Sequence, residues 1–326
     1  MAIAEQTSPT RSLPGGSSGG RIRTAALEGF REILNNRGAD FEAILAEASI
    51  ASENLKDDFN WIPLEKFAGF LTLAAKATGD PCFGLKCGAT APLANPVGYL
   101  LSSAPDLRTG LTLFVKYQRV VCTSAETFSE HAGVGKIEWM YPITMVDIAQ
   151  LTDFVLMRFI IRIQSAAGTS WRPLSVSLAH NEPPDRSEFE RFVGTRIEFG
   201  QRANKILIAS RTLDLQSPAS DPELFKLVHR FCEQQIKQLD PVDDSLNRTR
   251  EVVFRCLQSG EVSPHTVATE LDLAPHSLHR LLKEHGTSFQ QLLDDTRRSV
   301  AERYLFESSL PLTESDTSRI FRAERI

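Results

Sequence analysis

The sequence contains no apolar stretch long enough to cross a bilayer and no glycine-rich loop of the phosphate-binding type. Its most apolar run, 154–163, is interrupted by Arg158 and Arg162 and is shorter than the roughly 20 residues that a spanning helix needs. The first twenty-odd residues are rich in Gly, Ser and Pro and lack the apolar core of a signal peptide. These absences predict a cytosolic chain.

The sequence has few cysteines, and they do not occur in closely spaced pairs. The five cysteines are odd in number and scattered, and none has the close partner and companion histidines of a zinc site. We therefore expect reduced, partly buried thiols, and no metal and no cofactor: Cys82, Cys87, Cys122, Cys232 and Cys256.

Length and composition allow more than one hydrophobic core. The chain has 326 residues, 42% of them hydrophobic, and a formal net charge of −5. A tail at 1–23 is too rich in Gly, Ser and Pro to pack and is predicted to be disordered. Two folded parts follow: an α+β domain over 24–239, ending in a connecting helix, and an all-α domain over 240–326, joined by a linker at 239–244.

Residues 263–285 read as two short helices joined by a tight turn. Ser263 and Pro264 suit the start of the first helix, Pro275 the start of the second, and Gly286 its end. At about 100° per residue the second helix has an apolar face with Leu278, Leu281 and Leu282. Its opposite face carries polar and cationic side chains: His276, His279, Arg280 and Lys283. Most such helices merely have a buried face and a solvated face, but the ordered caps and turn favour a helix-turn-helix that reads DNA.

At these residues the chain resembles the AraC/XylS transcription regulators. The string 267–289 is similar to the family's first helix-turn-helix, and 290–305 to its linker helix. Four short upstream segments resemble the branch of the family that has an arabinose-binding-type N-terminal domain and includes ornithine utilisation regulators. These segments are 62–64, 77–81, 83–85 and 98–103. The similarity extends from about Ala26 to Thr313.

The resemblance implies a ligand-responsive regulator that binds double-stranded promoter DNA. It places the second helix in the major groove, with His276, His279 and Arg280 near base edges. Ser277 and Lys283 would meet phosphate or the groove margin, and Arg297 and Arg298 would be weaker phosphate contacts. The effector would be a small molecule, such as an amino acid or related metabolite, and a homodimer stays open.

The C-terminus departs from the family pattern. Members carry a second helix-turn-helix after the linker helix, whereas here only twelve residues follow Glu314. From Asp244 onward acidic residues also outnumber basic ones by two, although a DNA-binding domain commonly has a basic excess. A rival interpretation is therefore a sensor or dimerisation protein that has lost DNA binding with its second helix-turn-helix.

No motif indicates an enzyme. Cys122, His131 and His180 offer a thiol and imidazoles, and Asp147 and Asp153 offer paired acids, but no pattern places them beside an oxyanion donor. Nor does spacing locate an effector pocket. Four residues with aromatic or guanidinium groups could line one, although ordinary packing is the better interpretation of each: Trp139, Tyr141, Trp171 and Arg172.

Overall fold

The structure is a computed structural model that describes residues 20–92, 95–141, 147–201, 203–239 and 241–307. The N-terminal domain, 20–239, is mixed α/β, and the C-terminal domain, 241–307, is helical. This confirms the predicted fold class. None of the described helices combines the length and the apolar character that crossing a bilayer requires.

The N-terminal domain begins with helices and continues with mixed strands and helices. Its helices are α1 Phe30–Asn35, α2 Phe41–Glu47, α3 Leu64–Thr78, α4 Phe83–Thr90, α5 Pro96–Ser103, α6 Leu107–Tyr117, α7 Ala149–Ala167, α8 Arg186–Val193, α9 Ser210–Leu213 and α10 Pro222–Gln238. Its strands are β1 Arg21–Arg23, β2 Trp61–Pro63, β3 Ala125–His131, β4 Val134–Met140, β5 Ser175–Ser177, β6 Ile197–Glu198 and β7 Asn204–Ala209.

Aspartate caps begin several of these helices. The side chain of Asp40 accepts hydrogen bonds from the first-turn amides of α2. Asp185 and Asp221 do the same for α8 and α10. Each cap satisfies amides that the helix itself cannot bond, which fixes where these helices begin.

The main sheet has five strands in the order β3-β4-β7-β5-β6. Strands β3 and β4 form an antiparallel hairpin, and its turn is Ala132-Gly133, both with positive φ. Two such residues form the tight turn whose twist matches paired strands. β7 joins the hairpin to β5, which pairs in parallel with β6. β1 and β2 form a separate two-stranded sheet.

Helix α7 lies at the centre of the N-terminal core. Phe159 on α7 contacts Trp139 of the sheet and Phe114 of α6. On another side, Phe154 contacts Phe30 and Phe67 of the helical layer. The helix therefore joins the sheet to the helices that precede it in the chain.

Two glycines allow α4 to cross α7 at very short range. A Cβ at Gly84 would lie 2.1 Å from the carbonyl oxygen of Gln150, and one at Gly88 would lie 2.4 Å from that of Phe154. Both obstacles are backbone atoms of α7, which cannot move without displacing the helix. Glycine is thus required at both positions by contact, and α4 fixes the position of α7.

The C-terminal domain consists of α11 Pro241–Ser259, α12 Pro264–Glu270, α13 Pro275–Glu284 and α14 Phe289–Glu307. These helices share a hydrophobic core of their own: Val252, Val253, Cys256, Val267, Ala268, Leu271, Leu278, Leu282, Leu292 and Leu293. Ala268 is fully buried between the helices, as close crossing requires.

Several boundaries differ from the sequence-based predictions. The predicted linker 239–244 is wrong, because α11 begins at Pro241, which suits a first helical position. Residues 1–19 of the predicted tail lie outside the described residues, whereas Arg21–Arg23 form β1 and pair with β2. Helices α4 and α5 were not predicted, since their glycine and serine content hides the apolar period.

We expect Gly84→Ala to lower the free energy of unfolding by about 1–3 kcal/mol or more, because the added methyl overlaps the Gln150 carbonyl. Gly69→Ala on α3 is the matched control. Nothing lies within 4 Å of a Cβ there, so alanine should stabilise by about 0.5–1 kcal/mol. Urea unfolding of both variants measures the difference, and equal effects would contradict the close crossing.

Candidate nucleic-acid interface and effector cavity

The helix-turn-helix forms at the predicted residues with its predicted caps. The Ser263 hydroxyl accepts a hydrogen bond from the Thr266 amide at 3.0 Å. Helix α12 then ends in a Schellman arrangement in which Leu273 N–H donates to Ala268 and Asp272 takes a positive φ of 56°. Gly286, with φ 67°, ends α13 in the same way, and Thr287 N–H donates to Leu282.

Helix α13 is divided into a buried and an exposed face. Leu278 and Leu282 are each 1% exposed in the domain core. The side chains of His276, His279, Arg280 and Lys283 are exposed, and Ser277 is half-buried. Arg280 lies 3.8 Å from Glu284 in an open surface pair. Such a pair contributes little, so the guanidinium can exchange this carboxylate for another partner.

The two arginines of α14 differ in accessibility. Arg298 is exposed, whereas the Arg297 side chain is only 14% exposed and lies 3.7 Å from Asp294. The Nε of Arg297 is buried and has no hydrogen-bond partner. The structure therefore places Arg298 on the surface and keeps Arg297 against the helical core.

A cavity of about 440 Å³ lies in the N-terminal domain, bounded by β1, α5, α6, β3 and α7. Exposed residues lie at its opening, among them Asp58, Phe59 and Tyr99. Its walls are mostly apolar and aromatic: Ile22, Phe67, Phe114, Val120, Leu151, Phe154, Val155 and Phe159. A concave, largely apolar site of this size is typical of small-molecule binding.

Two arginines one helical turn apart on α7 enter this cavity. Arg158 donates hydrogen bonds to the carbonyl oxygens of Ala91 and Pro92. Arg162 lies over the Phe114 ring, 5.3 Å from its centroid, and is 6% exposed. Burial lowers the pKa of both guanidiniums, to about 10 for Arg158 and about 9 for Arg162, so both are cationic at neutral pH.

Four buried polar atoms of the lining residues have no hydrogen-bond partner. They are Gln118 Oε1, Glu126 Oε2, Tyr141 OH and Arg162 Nε. Charges on Glu126 and Arg162 interact, yet no direct ion pair or hydrogen bond joins these two described side chains. We call this group of residues the polar end of the cavity.

Glu126 also faces the C-terminal domain. Burial is the main cause that raises its pKa to about 8, the Glu251 carboxylate on α11 raises it further, and Ser124 and Arg162 oppose the shift. Nearby, Phe254 of α11 packs against Met140 of β4, both 7% exposed. The helix α11 thus contacts the sheet beside the polar end.

The other polar clusters have structural explanations. Asp80, Cys82 and Glu188 have the spacing of metal ligands, but the Lys86 ammonium lies 3.0 Å from both carboxylates. Asp153 accepts a hydrogen bond from His180 at 2.9 Å, and both side chains are buried. Burial raises the pKa of the Cys122 thiol, which keeps it protonated and unreactive.

Of the four pocket residues considered from the sequence, Tyr141 lines the cavity and Trp139, Trp171 and Arg172 do not. The buried Trp139 packs against Phe159, whereas Arg172 donates hydrogen bonds to the carbonyl oxygens of Thr169 and Trp171. The sequence signal for the cavity is the arginine pair inside the most apolar helix, although from the sequence alone this pair argues only against a membrane span.

Comparison with known proteins assigns the family. Residues 38–217, more than half of the chain, match the model of the arabinose-binding domain of AraC transcription regulators, N-terminal. The chain belongs to this family. It is a ligand-responsive transcription regulator of the AraC type, and the predicted family resemblance is confirmed.

Relatives of the regulator are similar over nearly their full length. It is 23% identical to the ornithine utilization regulator of Pseudomonas aeruginosa, with 93% of each chain covered. It is 25% identical to the HTH-type transcriptional regulator VirS of Mycobacterium tuberculosis, covering 91% of this chain and 88% of that one. Among solved structures, the regulator CdpR of Pseudomonas aeruginosa is similar with a TM-score of 0.45 and 15% identity, covering 86% and 89%.

The predicted loss of a second helix-turn-helix concerns residues after Glu314, which lie outside the described residues. It stays a prediction. The matched relatives are transcription regulators, so the rival interpretation as a sensor without DNA binding is not favoured.

The pKa of Glu126 predicts a pH-dependent stability. Between about pH 4.5 and pH 8 the folded chain holds a proton on Glu126 that the unfolded chain releases, so the free energy of unfolding falls as pH rises through this window. Glu126→Gln removes this pH-dependent fall in the free energy of unfolding. The variant should therefore be more stable than the parent chain at pH 9 by on the order of a few kcal/mol.

Thermal or urea unfolding from pH 5 to pH 9 tests this, with Glu130→Gln on the same strand as the control. The Arg108 guanidinium lowers the pKa of Glu130 to about 2, so its difference from the parent chain should stay constant over that range. A Glu126→Gln difference that is also constant would contradict a protonated Glu126. The groups whose charges bear on Glu126 or respond to it are Arg162, Glu251, Cys122 and Tyr141.

Proposed function

We propose that the regulator reads promoter DNA by inserting α13 into the major groove, in the cytoplasm where bacterial promoters are found. The observation that carries this proposal is the division of α13 into a face anchored by Leu278 and Leu282 and an opposite face of exposed cations. The family supports DNA binding in general, and the helix-turn-helix geometry selects the helix.

The exposed side chains of α13 have different roles in this proposal. Arg280 is the best candidate for a bidentate contact to guanine, because its surface pair with Glu284 is easily exchanged. His276 and His279 approach neighbouring base edges. Lys283 and Ser277 bind phosphate or the groove margin, and Arg298 adds a phosphate contact. Arg297 is assigned to packing, since it is buried beside Asp294.

The small-molecule effector belongs in the cavity of the N-terminal domain. Its volume and its apolar walls support this placement. One relative is described as an ornithine utilization regulator, which agrees with the sequence-based expectation of an amino acid or related metabolite. We propose a metabolite of that class as the effector.

A homodimer is also proposed, on the basis of an exposed apolar strip on α10. Leu224 and Leu227 lie three residues apart on one helix face and are 37% and 67% exposed. Burying both against a second copy of the chain would remove this apolar surface from water. We expect Leu227→Lys to shift sedimentation toward the monomer, with Lys226→Glu as the neighbouring control; an unchanged distribution would place the dimer contact elsewhere.

The DNA contacts can be tested with two variants and one control. Arg280→Ala should cost about 1–3 kcal/mol for the cognate promoter and relax base preference at one position. Lys283→Ala should weaken binding to all sequences alike and reduce the slope of log K against log salt by about 1. Arg191→Ala, an exposed arginine on α8, should change neither.

Fluorescence anisotropy with promoter fragments over a salt series measures all three. Binding that is absent in the intact chain, or that does not depend on salt, would overturn the DNA-binding proposal. A uniform loss for Arg280→Ala across all sequences would instead move that side chain from base reading to phosphate binding.

A further inference from the structure

The polar end of the cavity offers two acceptors and two donors without partners. Gln118 Oε1 and Glu126 Oε2 are acceptors, and Arg162 Nε and Tyr141 OH are donors. A buried polar group without a partner costs about 1–3 kcal/mol, so a ligand that supplies both kinds of partner recovers several such losses at once. The complementary head group has an anionic acceptor and a cationic donor.

The charges around the polar end exclude simpler head groups. The Glu251 carboxylate helps to keep Glu126 protonated at neutral pH, whereas no carboxylate of the described residues lies in direct contact with Arg162. A ligand with only a carboxylate would satisfy Arg162 and leave the acceptors Gln118 Oε1 and Glu126 Oε2 without a donor. A ligand with only an amine would leave the buried guanidinium without an anion. A zwitterion satisfies both sides and adds no net charge.

The remainder of the ligand meets apolar walls. Phe67, Leu151, Phe154 and Phe159 line the cavity and are at most 7% exposed. A second charged group would lose its hydration there without a partner, which is costly. The Arg158 guanidinium does not serve as a partner for such a group, since it already donates hydrogen bonds to the carbonyl oxygens of Ala91 and Pro92.

We propose that the cavity binds a small α-amino acid with an apolar side chain, its carboxylate on Arg162 and Tyr141 and its ammonium on Glu126 and Gln118. This rests on the proposed placement of the effector in the cavity and narrows its class. Because these four atoms are buried, binding requires their side chains to rotate toward the ligand. An ammonium there also lies beside Glu251, the acidic residue of α11 that faces Glu126.

Calorimetric titration of the full chain with four related ligands tests the head group. Norleucine carries both charges, norleucinamide lacks the carboxylate, N-acetylnorleucine lacks the ammonium, and ornithine adds a second ammonium. We expect norleucine to bind at least 10-fold more tightly than each of the other three. This series uses the unaltered chain and so does not depend on whether any variant folds.

Two variants assign each half of the head group to its residue. Arg162→Met should weaken norleucine at least 10-fold and leave the already weak norleucinamide unchanged. Glu126→Gln should weaken norleucine and leave N-acetylnorleucine unchanged. Arg191→Met on α8 and Glu130→Gln on β3, two residues that do not line the cavity, are the matched controls and should change no affinity.

Several outcomes overturn the proposal. If N-acetylnorleucine binds as tightly as norleucine, the site recognises a carboxylate alone. If ornithine binds as tightly as norleucine, the preference for an apolar side chain is refuted. If none of the four ligands binds, the amino-acid class is refuted. Anisotropy with promoter DNA is measured in parallel. DNA binding without norleucine binding refutes this inference alone, whereas norleucine binding without DNA binding refutes the proposed DNA reading and leaves the site.

Discussion

The N-terminal domain depends on the burial of two guanidinium groups inside its most apolar helix. Removing a charge from water is costly, so each arginine needs a compensating environment. Arg158 finds it in two backbone carbonyls at the end of α4, the segment that Gly84 and Gly88 hold against α7. Among the described residues, Arg162 finds an aromatic face and a distant carboxylate. The close crossing of α4 therefore satisfies one cation and leaves the second available for a ligand.

The same charges connect the cavity to the DNA-binding domain. Glu126 lines the cavity from β3 and faces Glu251 of α11, and Phe254 of α11 packs on Met140 of β4. Helix α11 belongs to the core that also holds α13 through Leu278 and Leu282. A change of charge at Glu126 is therefore felt by a helix that shares a core with α13, the helix proposed to read DNA. Coupling of the cavity to the DNA-binding domain would require two states of α11 that differ in their affinity for the ligand.

Local signals predicted the fold well, and long-range contacts account for what was missed. Ser263, Pro275 and Gly286 fix the helix-turn-helix because caps and φ restrictions act within a few residues. By contrast, α4 contains glycines whose purpose appears only against α7, more than sixty residues away. The cavity was missed for the same reason: Glu126, Tyr141 and Arg162 lie far apart in sequence. The low exposure of Arg297 could not be predicted either, because periodicity does not show which face of α14 packs on the core.

Net charge is a poor guide to the proposed DNA interface because charges act over short distances. The segment after Asp244 has two more acids than bases, yet the exposed face of α13 presents Arg280 and Lys283 together with two histidines. At physiological ionic strength the field of an exposed charge decays over about 8 Å. A phosphate beside α13 therefore senses the cations of that helix more strongly than acids on the far side of the domain. Recognition of the groove then depends on which face carries the charge, and the buried leucines determine that face.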